Sequence, residues 1–190
     1  MRVIAGSVKG RKLKAPVGLH TRPITDMIKE ALFNVWGPDI YDATVLDLFA
    51  GSGSVGIEAL SRGACKVVFV DNDIDAIKII KENLGICGFK NGWEVFKNDV
   101  FRVIELLTRH GQKFDYIYVD PPFSNAGIFN EIMLVLGRAD ILEDDGILVI
   151  RARKQKEMAE SFHRLVKYRQ SNYGESNLHY YRWTEEDSIS

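Results

Sequence analysis

From Thr44 onward, short apolar runs alternate with stretches of helical period, so the pattern predicts strand and helix in turn. The runs TVLDLFA (44–50), KVVFVD (66–71), WEVFKND (93–99), FDYIYVD (114–120) and GILVIRA (146–152) read as strands. Between them, 54–61, 73–85, 99–110 and 128–137 read as helices, the second with Ala76, Ile77, Ile80 and Leu84 turned inward. KQKEMAESF (154–162) reads as a further helix, and RLVKYRQ (164–170) with NLHYYRW (177–183) as a closing hairpin. Upstream, RVIAG and RKLKA flank a turn at 7–10, which predicts an N-terminal β-hairpin. TDMIKEALFNVW then predicts a helix with Ile28, Ala31, Leu32 and Val35 on one stripe. Thr25 or Asp26 caps it, and Gly37-Pro38 stops it. Seven strands alternating with helices make an α/β domain: an open, mostly parallel sheet covered on both faces. The expected organisation is a basic hairpin arm at 1–24, one domain at 25–183 and a disordered tail at 184–190.

Composition narrows the class. With 190 residues and 46% hydrophobic content, the chain can bury one good core. It holds no apolar run near the roughly 20 residues that span a bilayer, and its first residues lack the continuous apolar segment of a signal peptide. Cys65 and Cys87 are too few for a disulfide framework or a zinc knuckle, and the four histidines form no metal spacing. A reduced, cytoplasmic setting, no membrane, no metal and a monomer are therefore expected. The net charge of -1 hides a polarity, because residues 1–30 hold seven Lys/Arg against two acids while 31–150 hold ten against eighteen. A basic arm on an acidic body suggests a polyanion touched at one place, the alternative being a solvated basic hairpin.

In a parallel sheet the strands deliver their carboxyl ends to one rim, where ligands bind near the switch in strand order. Four stretches fall there: Asp47 to Gly53, Asp71-Asn72-Asp73, Asn98-Asp99 and Asp120-Pro121-Pro122-Phe123. GSGSVG (51–56) has the glycine spacing of a dinucleotide loop, with Asp71 following about 20 residues on. Several acids around that loop suit a ligand carrying positive charge and hydroxyl groups better than a pyrophosphate. Asp71 is the acid expected at a ribose, because Asp73 is better placed to cap the next helix. At the DPPF corner two prolines make a rigid turn directly after a strand. That turn aims Asp120 and the Pro121 carbonyl at one place, where they could accept both hydrogens of an exocyclic amine.

DLFAGSGSVGIEALSRGA and VDPPF resemble the S-adenosylmethionine-dependent methyltransferases. Together with GRKLKAP and TRPITDMIKEALFN, they resemble the bacterial RsmD-like family, which methylates the N2 amine of a guanine in 16S ribosomal RNA. The likeness runs from Arg2 to about Trp183. It implies a Rossmann-like class I methyltransferase fold with S-adenosylmethionine as cofactor. It also implies ribosomal RNA, or a partly assembled small subunit, as partner. Asp47, Phe49, Gly51 and Gly53 would hold the methionine end, Asp71 and Asn72 the ribose, and Asp99 with Val100 the adenine. Asp120, Pro121, Pro122 and Phe123 would carry the transfer, with Phe123 stacked on the base. Lys9, Arg11, Lys12 and Lys14 would contact phosphates. Arg22 could reach the cofactor carboxylate or a phosphate.

Three other readings compete. An adenine-N6 methyltransferase would use the same kind of corner, but that family's turn more often begins with Asn and ends with Tyr. A nicotinamide oxidoreductase would share the glycine loop, yet no His, Lys or Tyr stands beside it as a hydride-transfer acid. An idle RNA-binding module would have no use for an intact DPPF.

Overall fold

The computed structural model describes residues 1–15 and 24–184. The predicted Arg22 contact, and all of the predicted tail beyond residue 184, lie outside them. Helix α1 (Asp26–Trp36) begins at Thr25, whose hydroxyl accepts the Ile28 N–H at 3.3 Å. A 3-10 turn (Gly37–Ile40) leads into β1 (Thr44–Leu48). There follow α2 (Ser54–Ser61), β2 (Lys66–Asp71), α3 (Ile74–Cys87), β3 (Trp93–Lys97), α4 (Val100–Arg109), β4 (Phe114–Val119) and α5 (Ile128–Leu136). The chain ends in β5 (Leu142–Arg153), β6 (Ser161–Phe162), β7 (Leu165–Tyr173) and β8 (Ser176–Trp183).

The strands lie in the order β3-β2-β1-β4-β5-β8-β7-β6. The first five are parallel, and β8, β7 and β6 are added antiparallel. From β1 the chain first winds outward through β2 and β3, then returns to place β4 on the other side of β1. The switch in strand order therefore falls between β1 and β4. Period-two alternation splits the core between the faces. Val45, Val67, Phe69, Tyr116 and Tyr118 pack with α1, α2 and α3, whereas Leu46, Leu48, Val68, Val70, Ile117 and Val119 pack with α4 and α5.

Four expectations need correction. The sheet has eight strands among the described residues, not seven, because Ser161–Phe162 pairs with β7. The segment 154–162 is not a helix. Met158 and Phe162 are buried four residues apart, a spacing compatible with a helix. However, the Met158 carbonyl accepts from Lys167 Nζ at 2.8 Å and the Ala159 carbonyl from the Tyr181 hydroxyl at 2.7 Å. Partners on β7 and β8 thus take the carbonyls that a helix would use internally. The N-terminal hairpin forms around the antiparallel bridge of Arg2 with Lys12, with the Val3 N–H donating to the Arg11 carbonyl at 2.9 Å and the Leu13 N–H to the Met1 carbonyl at 3.1 Å, but it does not stand off as an arm. Its turn is instead pinned to α2, with the Ser7 N–H donating to the Ser61 carbonyl at 2.7 Å, while Val3 and Leu13 enter the core. On α1, the buried face is Ile28, Lys29, Leu32, Phe33 and Trp36, while Ala31 and Val35 are only half-buried.

Candidate active site

β1, β2 and β4 end on one rim, and a cleft of about 460 Å³ opens there, beside the strand-order switch. Asp47, Phe49, Gly51, Asp71, Asn72, Asp99, Val100, Asp120 and Pro122, all singled out in the sequence, line it. Met1, Ala15 and Ile24 close one side, and Tyr118, Phe101, Asn125 and Ile128 add to the other walls.

The glycine bend is a strained piece of backbone. Phe49 takes φ 59°, a left-handed conformation that a bulky side chain rarely adopts. Gly51 and Gly53 follow at 56° and 73°, and the Gly53 N–H closes the turn on the Ala50 carbonyl at 2.7 Å. A Cβ on Gly53 would lie 3.2 Å from Ile80 and 3.3 Å from Phe69, and Gly53 does not line the cleft. Glycine is required at that position by φ and by packing, not to leave room for a ligand. At Gly56 a Cβ would come 2.3 Å from the Phe69 ring, so this glycine lets α2 lie against β2.

Each acid has a distinct setting. Asp47 is buried, and its Oδ2 accepts the Gly56 N–H at 3.0 Å. Burial, followed by the charges of Asp120 and Asp71, pushes its carboxyl well above the usual range. Asp71 accepts the Gly51 N–H through Oδ2 at 2.8 Å and the Asp73 N–H through Oδ1 at 2.9 Å. Asp73 caps α3, leaving Asp71 to the loop and the cleft. Desolvation raises Asp71 as well, partly offset by these N–H groups. Asp99 caps α4, its Oδ1 accepting the N–H groups of Phe101 and Arg102 at 3.0 and 3.4 Å, and it also lines the cleft. The neighbouring carboxyls of Asp47, Asp71 and Asp120 are all raised by burial, and such a site gains from a cation. The donor set therefore fits a ligand with a sulfonium, an ammonium and ribose hydroxyls.

Asp120 follows β4, its N–H continuing the pairing to the Leu48 carbonyl at 3.2 Å. Its Oδ2 accepts both the Tyr118 hydroxyl (3.3 Å) and Arg151 Nη1 (2.9 Å). Burial raises its carboxyl, and Arg151 and Tyr118 oppose that rise. Pro121 is buried and Pro122 faces the cleft. Phe123 does not line the cleft. It packs 6.1 Å from Phe129 and beneath the guanidinium groups of Arg151 and Arg153, at 5.3 and 5.6 Å.

On the N-terminal segment, Lys9, Arg11, Lys12 and Lys14 are exposed, and Lys14 is paired with Glu82 at 2.9 Å. Asn83 ties this segment to the glycine bend. Its side chain accepts the Lys14 N–H and donates to the carbonyls of Lys14 and Ser52. Asn83 and Tyr118 were missed as site residues in the sequence, where Arg151 stands out as a rim candidate, a charged residue ending the apolar run of β5. Among the described residues, no group of three or more His, Cys, Asp or Glu could hold a metal ion. No helix there is long and apolar enough to cross a membrane.

The family model described as "Conserved hypothetical protein 95" matches residues 1–182. A Bacillus subtilis (strain 168) protein named "Putative rRNA methyltransferase YlbH" is 39% identical over 182 residues, covering 96% of this chain and 98% of that one. The "Ribosomal RNA small subunit methyltransferase D" of Escherichia coli (strain K12) is 36% identical over 152 residues, covering 80% of this chain and 71% of that one. A solved structure titled "Putative methyltransferase yhhF from Escherichia coli" superposes with a TM-score of 0.83 at 30% identity, covering 96% of this chain and 97% of that one.

Proposed function

The chain belongs to the family described as conserved hypothetical protein 95, and from that premise we propose that it methylates small-subunit ribosomal RNA. S-adenosylmethionine is the methyl donor, and the acceptor is the N2 amine of a guanine. One observation carries the reading: Asp120 and Pro122 line the same cleft as Asp47, Gly51, Asp71 and Asp99. A methyl donor held by the glycine bend and a base held at the DPPF corner would then share one space.

The cofactor supplies a methyl group on a positively charged sulfur, already a strong leaving group. Asp47 and the backbone at Gly51 bind the methionine end, where a cation relieves the repulsion between buried carboxylates. Asp71 and Asn72 bind the ribose, Asp99 accepts from the adenine amine, and Val100 lies against the ring. An exocyclic amine is a weak nucleophile because its lone pair is delocalised into the base. Asp120 and the Pro121 carbonyl accept its two hydrogens and aim the lone pair, so positioning contributes most of the rate. Asp120 also stabilises the charge that develops on nitrogen and accepts the proton given up there. The base must leave any helix to reach this rim, so the target is a loop or flipped nucleotide. Phe123 bounds the corner, and Lys9, Arg11, Lys12 and Lys14 contact the RNA backbone. The protein works as a monomer in the cytoplasm.

The test is to incubate the purified protein with labelled S-adenosylmethionine and either naked 16S RNA or small-subunit particles. The RNA is then digested to nucleosides. Label in N2-methylguanosine at one site is expected. Label in N6-methyladenosine, or none in any RNA, would overturn the proposal.

A further inference from the structure

In the register between β4 and β5, Val119 lies opposite Ile150. One step beyond that pair, the chains deliver Asp120 and Arg151 side by side. The Arg151 side chain is only 4% exposed. Its Nη1 donates to Asp120 Oδ2 at 2.9 Å, and its Nε to the Ser176 hydroxyl on β8 at 3.4 Å. Phe123 lies beneath the guanidinium. Tyr118 donates to the same Oδ2. Among the described residues, both hydrogen bonds to this carboxylate fall on one oxygen, and Oδ1 takes none. Asp120 is 21% exposed and lines the cleft.

We propose that Arg151 is a positioning residue for methyl transfer: by binding Asp120 Oδ2 from the neighbouring strand, it presents Oδ1 as the acceptor for the substrate amine. This rests on the methyl-transfer reading above. Arg151 acts through Asp120 and does not touch the reacting atoms. Orientation comes from the register, since the Ser176 hydroxyl and the Phe123 ring fix the guanidinium before any substrate arrives. Charge matters as well. The groups facing Asp120 are Tyr118 on β4, Arg151 on β5 and, at longer range, Asp47 on β1. Asn125 and Ile128, which line the cleft nearby, carry no charge. Among these described groups Arg151 is the one cation. Without it, a desolvated carboxyl beside a second carboxylate keeps its proton to higher pH. A protonated Asp120 could donate a hydrogen bond where the amine requires an acceptor.

The experiment compares wild type, R151M and R151K by kcat over a pH series, by calorimetric cofactor affinity, and by carbon-13 titration of the Asp120 carboxyl, assigned with D120N. R151M should lower kcat at pH 7 by about 100-fold, the scale of a small misplacement, with cofactor affinity within about threefold. Its rising pH limb and the Asp120 titration should both move to higher pH. R151K keeps the charge and should restore the wild-type limb with most of the rate. A pH-independent loss in R151M, or an Asp120 titration identical to wild type, would overturn the assignment. If R151M does not fold, R151Q undergoes the same measurements, since its amide can still donate without charge. A wild-type protein that labels no RNA would defeat the methyl-transfer reading, while the carboxyl titration would still decide whether Arg151 governs Asp120.

Discussion

Lys29 on α1 and Glu58 on α2 form an ion pair at 3.2 Å with both side chains removed from solvent. The pair is the centre of a latch. Glu58 also accepts the N–H groups of Ile4 and Ala5 at 2.8 and 2.9 Å, and pairs with Arg62. Lys29 Nζ donates to the Arg2 carbonyl and to Ser54, which lines the cleft. Burial lowers the Lys29 pKa and Glu58 opposes that fall. Removing one partner leaves a buried charge uncompensated. E58Q is therefore expected to lose about 3–5 kcal/mol of stability in urea titration, and K29M/E58Q together to recover part of it. An E58Q protein as stable as wild type would show that the latch contributes nothing.

At the corner, D120A should abolish methyl transfer while calorimetric affinity for S-adenosylmethionine stays within a few fold. The carboxylate aims and stabilises the amine, whereas the cofactor contacts belong to other residues. Surviving activity would remove Asp120 from the role of acceptor.

Asp47 separates stability from function. Its folded pKa is raised, so the stability linked to it is present below the unfolded value of 3.8 and is lost as pH rises through the folded pKa. D47N should therefore unfold at a higher temperature than wild type at pH 7. The gain is about 1.4 kcal/mol for every tenfold by which folding tightens the carboxyl's hold on its proton. The gap should close near pH 4, and cofactor affinity should fall. Equal melting temperatures at pH 7 would contradict this.

His179 works in the opposite direction. Burial, then Lys167, brings its pKa down from 6.5 to about 4. The unfolded chain takes the proton first, so stability is full above pH 6.5 and declines as pH falls toward 4, by about 3 kcal/mol in all. Neither ring nitrogen has a hydrogen-bond partner among the described residues. H179Q should flatten that decline in urea midpoints taken at pH 7 and pH 4.5. A parallel decline in both proteins would place the acid sensitivity elsewhere.

For RNA binding, replacing Lys9, Arg11, Lys12 and Lys14 by Ala should flatten the salt dependence. The slope falls by roughly 0.7 to 0.9 for each phosphate that is no longer neutralised, and Lys14 contributes least because Glu82 already pairs with it. An unchanged slope in filter binding across a salt series would make this segment a solvated surface.

Much of the site was legible because it follows from chain order. Asp47, Asp71 and Asp120 stand at or just after the ends of apolar runs, and parallel pairing brings such ends to one rim whatever the packing details. Gly51, Gly53 and Gly56 were equally visible, although only the folded arrangement separates their reasons. Phe123 was read as a stacking ring facing the base, and the structure sets it under Arg151 and Arg153 instead. Segment 154–162 carried a helical spacing that partners on β7 and β8 overrode.

Local pattern alone determined the α/β alternation, the strand-end acids and the glycine bend, because periodicity and turn chemistry act over a few residues. Tertiary structure decided which charges meet: Arg151 with Asp120, Lys29 with Glu58, and Asn83 with both the N-terminal segment and the bend. Each of these links residues far apart in the chain. They form only when strand order and helix docking are set, since a buried polar group takes whichever partner folding brings within hydrogen-bond reach.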